Sequence, residues 1–117
     1  MSDAVLLGEL ISRNRFLPVP PQEKNFTGDG SFLAIGAEFL RHFITLGDLQ
    51  PHHRVLDIGS GLGRMAIPLT QYLRPEHGAR YDGFDVVRDG VEWCRQHIEA
   101  VYPDFHFHHI DLYNSLY

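Results

Sequence analysis

Arg54–Ile67 reads RVLDIGSGLGRMAI, and this stretch decides the fold. Val55, Leu56 and Ile58 form a short apolar run, rich enough in β-branched residues to predict a buried strand. Gly59, Gly61 and Gly63 then alternate, and Leu62, Met65, Ala66 and Leu69 follow at helical spacing. A strand that breaks into alternating glycines and turns into a helix makes a tight loop whose backbone a ligand can approach closely. Asp57 lies inside the strand, two positions before the first glycine, where only a ligand or a polar network justifies a carboxylate. The stretch therefore predicts a cofactor loop.

Upstream of it, residues 32–46 carry Phe32, Ile35, Phe39, Phe43 and Leu46 at helical intervals, with Leu33, Leu40 and Ile44 widening the stripe. That spacing predicts an amphipathic helix with one broad buried face, capped by Asp29 or Ser31 after the turn Gly28-Asp29-Gly30 and stopped by Gly47. Further upstream, residues 3–13 predict a short helix with Val5, Leu6, Leu10 and Ile11 on one side. Pro18, Pro20 and Pro21 end it in an extended segment that reads as an arm or lid rather than as core.

Downstream, the helix after the glycines is expected to run to about Leu73, with Pro68 kinking it or disturbing its first turn. Tyr81 to Asp85 predicts a second strand. Asp89 is the expected cap of a further helix whose apolar positions, Val91, Cys94, Ile98 and Val101, keep helical spacing until Pro103. Phe105 to Ile110, FHFHHI, predicts a third strand with His106 and His108 on the face opposite Phe105 and Phe107. Helices and strands alternate throughout, which is the pattern of βαβ units and a parallel α/β sheet. Residues 1–25 are taken as an N-terminal helix and proline-rich arm, and residues 26–117 as a Rossmann-like domain.

Composition narrows the setting. A chain of 117 residues has room for one small core. A net charge of −5 without a basic stripe speaks against nucleic acid as partner. The single cysteine, Cys94, forms no internal disulfide, the N-terminus lacks a basic leader pattern, and no apolar run reaches membrane-span length. A cytoplasmic location is the expectation. The histidines at 52, 53, 106, 108 and 109 have no cysteine or carboxylate set at ligand spacing, so no metal site is expected.

Asp57, Asp85 and Asp111 fall at the carboxyl ends of the three predicted strands or beside them, where open parallel sheets bind ligands. Taken singly, each would be read as a turn or helix cap. With the glycine loop, the three favour a ligand. Asp85 follows the glycines by about 20 residues, the spacing at which a carboxylate meets ribose hydroxyls in nucleotide-binding βαβ folds. The dinucleotide fingerprint G-x-G-x-x-G would need glycine at position 64, where this chain has Arg64.

The loop is instead D-x-G-x-G-x-G, residues 57–63, and here the sequence resembles the class I S-adenosylmethionine-dependent methyltransferases. VLDIGSGLG resembles their first motif, GFDVV (83–87) their acidic second-strand end, and HIDLYN (109–114) the segment after their third strand. The segment GDGSFLAIGAEFLRHF is similar to the helix before the first strand in some bacterial members, so the likeness covers roughly residues 26–117. The resemblance implies that the backbone of Gly59, Ser60, Gly61 and Gly63 approaches the methionine part of S-adenosylmethionine. It also implies that Asp57 orients the ammonium end through water, Asp85 takes both ribose hydroxyls with Val86 beside it, and Asp111 holds the adenine amino group with Leu112 against the ring. The acceptor it implies is a small molecule, and no catalytic base is identified.

The family fold has seven strands in the order 3-2-1-4-5-7-6, and this chain supplies three. The resemblance therefore implies a sheet truncated after its third strand, with the first strand as an open apolar edge and one face without helices. Such a surface predicts a fragment of a longer enzyme, or self-association through the edge or the bare face. Two other functions compete with the methyltransferase reading: an NAD-type dinucleotide binder, and a non-catalytic scaffold that binds a partner along the open edge.

Overall fold

Three parallel strands lie side by side in the order β1 (Arg54–Ile58), β2 (Arg80–Asp85), β3 (Phe105–His109). The structure is a computed structural model describing residues 2–21 and 32–112. The register sets Val55, Tyr81 and Phe105 in one row, with Asp57, Gly83 and Phe107 in the next row on that face. The opposite face carries Leu56, Asp82 and His106, then Ile58, Phe84 and His108. Tyr81, Phe105 and Phe107 are buried; Tyr81 stacks on Phe105 with ring centroids 5.0 Å apart and meets Phe107 at a tilt, 5.4 Å away. Among the described residues the other face has no such cover. Leu56 is 62% exposed and Ile58 80%, so β1 is not the buried strand its composition alone predicts but shows the bare apolar face expected of a sheet truncated after its third strand.

The covered face is built by helices α2 (Phe32–Thr45), α3 (Ala66–Leu69) and α4 (Arg88–Cys94), with α1 (Asp3–Ser12) laid on α2. Ser2 caps α1 by accepting from the Val5 amide, and Ala4 and Ile11 are its buried residues. Leu6 and Leu10 point outward, against the expected grouping with Val5 and Ile11. The proline segment is not merely an arm: Leu17 joins the core.

Helix α2 also buries a different face from the one expected. Phe32, Gly36, Ala37 and Leu40 are buried, whereas Phe39, Phe43 and Leu46 are exposed. The reason is close approach. Gly36 sits so tightly against the Arg64 carbonyl and the Pro68 ring that a Cβ there would collide with that backbone oxygen. The helix ends through Asp48, which takes the left-handed conformation (φ 55°), rather than through Gly47. Gly47 is needed for space instead, since a Cβ would lie 2.8 Å from the Phe43 carbonyl. The expected caps Asp29 and Ser31, and the turn Gly28-Asp29-Gly30, lie outside the described residues.

Helix α3 stops at Leu69 and not near Leu73. Pro68 lies in the first turn, where its missing N–H costs only a bond upstream, and after Leu69 the chain tightens: Gln71 donates to Pro68 and Tyr72 to Leu69 through three-residue bonds of 3.1 Å, with one four-residue bond left from Leu73 to Leu69. The helix after β2 is α-helical only to Cys94 and then widens into a π turn over Arg95–Glu99, with Ala100 donating to the Arg95 carbonyl. Asp89 lies in its first turn and does not cap it; the position before the helix is Val87, whose amide bonds the Asp85 side chain. Val101 ends up 65% exposed, outside the predicted stripe. Leu62, Ile67, Val91, Cys94 and Ile98 close the core beneath the glycine loop.

Candidate functional site

The glycine loop is fastened to the end of β2. Gly59 and Ser60 both donate backbone N–H to the Phe84 carbonyl, at 2.8 and 2.9 Å, and Gly63 turns back to the Ser60 carbonyl at 3.0 Å. All three glycines have positive φ, 85°, 56° and 83°, a conformation that glycine alone adopts without steric cost. Their surroundings differ sharply. Among the described residues a Cβ at Gly59 or Gly61 would meet nothing within 4 Å, whereas one at Gly63 would lie 2.6 Å from Ile98 Cδ1 and 3.3 Å from Cys94 Sγ. Gly59 and Gly61 present bare backbone to open space, while Gly63 is consumed by packing against α4 and the π turn.

Asp85 is the hub of the site. Its Oδ2 accepts from the Gly61 amide at 2.7 Å and its Oδ1 from the Val87 amide at 2.8 Å, while its carbonyl accepts from Ile110 at 2.9 Å. A carboxylate has about four acceptor positions, so two remain for a ligand's hydroxyls. Val86 is held from the other side, its carbonyl 3.2 Å from His109 Nε2. Asp111 and Leu112 follow β3 in exposed positions, Leu112 at 66%.

Asp57 faces the covered side of the sheet, where Oδ2 accepts from the Tyr81 hydroxyl at 2.6 Å. Burial pushes its carboxyl above the usual aspartate range, the Asp85 charge pushes the same way, and the tyrosine hydrogen bond opposes both. Beneath the loop, Cys94 Sγ lies 3.6 Å from the Gly61 carbonyl. Burial pushes this thiol up to about 12, with the Asp85 and Asp57 charges adding to the effect. Ser60 Oγ is buried without a hydrogen-bond partner among the described residues.

The structure thus brings Asp57, Gly59, Ser60, Gly61, Gly63, Asp85 and Val86 to one end of the sheet. Three participants escaped the sequence: Tyr81, Cys94 and His109. A signal for the first did exist. Gly83 is a glycine in mid-strand beside Asp57, and such a residue marks space that a neighbour fills. A separate groove of about 310 Å³ runs along β1, lined by Phe43, Leu49, Val55, Leu56, Met65 and Leu69. Asp57 borders it, but Gly59, Gly61 and Asp85 do not, and its walls are apolar. The histidines engage other partners: His108 bonds Asp82 at 3.0 Å and stacks on Phe84, and His97 stacks on Trp93.

No family model matches the sequence. Solved structures do match the fold. A protein-L-isoaspartate O-methyltransferase superposes with a TM-score of 0.60 at 20% identity, over 94% of this chain and 38% of that one. The fold these residues share with it is Rossmann-like, three parallel strands flanked by helices. Coclaurine N-methyltransferase, bound to N-methylheliamine and SAH, gives a TM-score of 0.59 at 14% identity over 93% of this chain and 37% of its own. A Plasmodium falciparum structure provisionally named as a protein-L-isoaspartate (β-aspartate) O-methyltransferase, in complex with S-adenosyl-L-homocysteine, gives 0.62 at 19% identity, over 98% and 59%. This chain spans less than two thirds of each of these methyltransferases. In this Rossmann-like sheet, the glycine loop and Asp85 lie at the carboxyl ends of β1 and β2, where parallel α/β sheets bind ligands. No described helix is long and apolar enough to cross a membrane.

Proposed function

We propose that this chain is the cofactor-binding portion of an S-adenosylmethionine-dependent methyltransferase whose acceptor is a small molecule. One observation carries the reading: in a methyltransferase fold, Gly59 and Gly61 leave open space directly beside the Asp85 carboxylate. That two structural neighbours were solved with S-adenosylhomocysteine supports the choice of cofactor. The donor set suits it as well. A ligand with an ammonium and a sulfonium favours the acidic surroundings of Asp57 and Asp85. The unpartnered Ser60 hydroxyl offers a further polar contact in the same loop.

S-adenosylmethionine supplies a methyl group on a sulfonium, a strong leaving group. The chain's own residues bind and orient. Gly59, Ser60 and Gly61 would give the methionine portion close backbone contact, and Asp85, held rigid by the Gly61 and Val87 amides, would present its free lone pairs to the ribose hydroxyls. Val86, Asp111 and Leu112 would flank the adenine. Asp57 would attract the ammonium group while keeping its tyrosine partner.

Calorimetric titration with S-adenosylhomocysteine and with NADH tests the assignment. The first is expected to bind and the second not. Gly61→Val puts a branched side chain into the open space at a positive φ and is expected to abolish binding. Unchanged affinity in a variant that still folds would overturn the reading, and NADH binding in place of S-adenosylhomocysteine would replace it with the dinucleotide alternative.

A further inference from the structure

The two outer edges of the sheet are finished differently. On β3, Asp104 accepts from the Tyr81 amide at 3.1 Å and Ile110 donates to the Asp85 carbonyl at 2.9 Å, so the even-numbered residues face β2. The backbone groups of Phe105, Phe107 and His109 therefore point away from the sheet. The Phe105 amide is taken by the Tyr102 carbonyl at 2.9 Å. At Phe107 both groups are taken, by side chains of opposite charge. Its amide donates to Glu99 Oε1 at 2.9 Å, and its carbonyl accepts from Arg95 Nε at 2.9 Å. Both side chains come from the π turn after α4.

On β1 the Gly59 amide donates to Phe84, so Leu56 and Ile58 are the residues with outward backbone. Among the described residues no side chain bonds the backbone of either. On β3 the Phe105 amide and both groups of Phe107 are occupied, whereas on β1 the outward groups of Leu56 and Ile58 are left for pairing.

We propose that Arg95 and Glu99 act as an edge guard, occupying both the donor and the acceptor that β3 would offer at Phe107, and so denying this edge to a strand from a second copy of the chain. The polarity is matched: a cation covers the carbonyl and an anion the amide. An incoming strand would have to displace two charge-assisted hydrogen bonds before making its own. The effect is to bias strand addition toward β1, since pairing on β3 is blocked at its middle residue.

The test uses a Leu56→Lys background, which discourages pairing at β1, and the charge-swapped variant R95E/E99R, which keeps composition and net charge but reverses the polarity at Phe107. Sedimentation velocity over a concentration series is expected to show the swapped variant self-associating at a concentration about tenfold lower than its parent, the equivalent of one charge-assisted hydrogen bond. Glu99→Gln keeps an acceptor but loses the charge, and is expected to fall between the parent and the swapped variant. Hydrogen exchange at the Phe107 amide is expected to quicken about tenfold in Glu99→Ala. A folded R95E/E99R with unchanged association overturns the proposal. If the swapped variant does not fold, unchanged Phe107 exchange in Glu99→Ala overturns it instead.

Discussion

The Tyr81 hydroxyl reaches Asp57 Oδ2, at 2.6 Å, across the position where Gly83 has no side chain. A Cβ at Gly83 would lie 2.8 Å from that hydroxyl oxygen and 2.9 Å from Ser60 Cβ. One glycine thus makes room for the hydrogen bond that holds a partly buried carboxylate beneath the loop.

Tyr81→Phe leaves Asp57 without this donor and is expected to cost about 1–3 kcal/mol of stability at neutral pH. The pH dependence has a definite sign. Burial raises the folded-state value of Asp57 above its ordinary 3.8, so its contribution favours folding most below that value and fades as pH rises through the folded value. Asp57→Asn, whose amide oxygen still accepts from Tyr81, should therefore gain on the wild type at neutral pH, and the gain should vanish in acid. Urea titrations at neutral pH and below pH 4 check both; a wild type with the larger advantage at neutral pH would contradict the assignment.

Asp85→Ala removes the acceptor of two backbone amides as well as the proposed ribose contact. Affinity for S-adenosylhomocysteine is expected to fall by about 1.5–3 kcal/mol. Exchange at the Gly61 and Val87 amides should accelerate in the same variant. Calorimetry with free methionine supplies the control, because that ligand has no ribose. An equal loss for both ligands would remove Asp85 from the ribose site.

Gly63→Ala should destabilise the fold by about 1–3 kcal/mol, since overpacking is added to an unfavourable φ. The added methyl meets Ile98 Cδ1, so Ile98→Val should recover part of the loss. Denaturant melts of the single and double variants measure the recovery. Strictly additive losses would place the strain elsewhere.

The β1 edge should make the chain self-associate, as Leu56 and Ile58 present apolar side chains beside unpaired backbone. Light scattering across concentrations is expected to show a rising mass, and Leu56→Lys with Ile58→Lys to suppress it. A wild type that stays monomeric at every concentration ends this proposal.

The three strands, the glycine loop and the placing of Asp57 and Asp85 at strand ends were legible because each depends on local pattern: a short apolar run, a break, and an acid at a strand end. The order of the strands came instead from the family resemblance, since no local pattern says which strands are neighbours. What misled was volume. On α2 the phenylalanines carry most of the apolar surface, yet contact with α3 runs through Gly36, because small residues let two backbones meet. A periodicity argument weighs side chains by hydrophobicity and so misses a face made by their absence. The Tyr81–Asp57 bond was hidden for another reason. It is a diagonal contact between neighbouring strands and exists only once the register is fixed. The π turn at Arg95–Glu99 left no mark at all, since its residues are ordinary helix formers.

Cys94 is the chain's only thiol, and it lies under the Gly61 carbonyl, buried and pushed to about 12. A native thiol so placed reacts with an alkylating reagent only when the segment above it lifts. Labelling rates measured against denaturant would therefore separate the free energy of raising the glycine loop from that of global unfolding. The natural sequence thus carries its own probe of whether the loop is rigid before a ligand arrives, with no reporter group to be added.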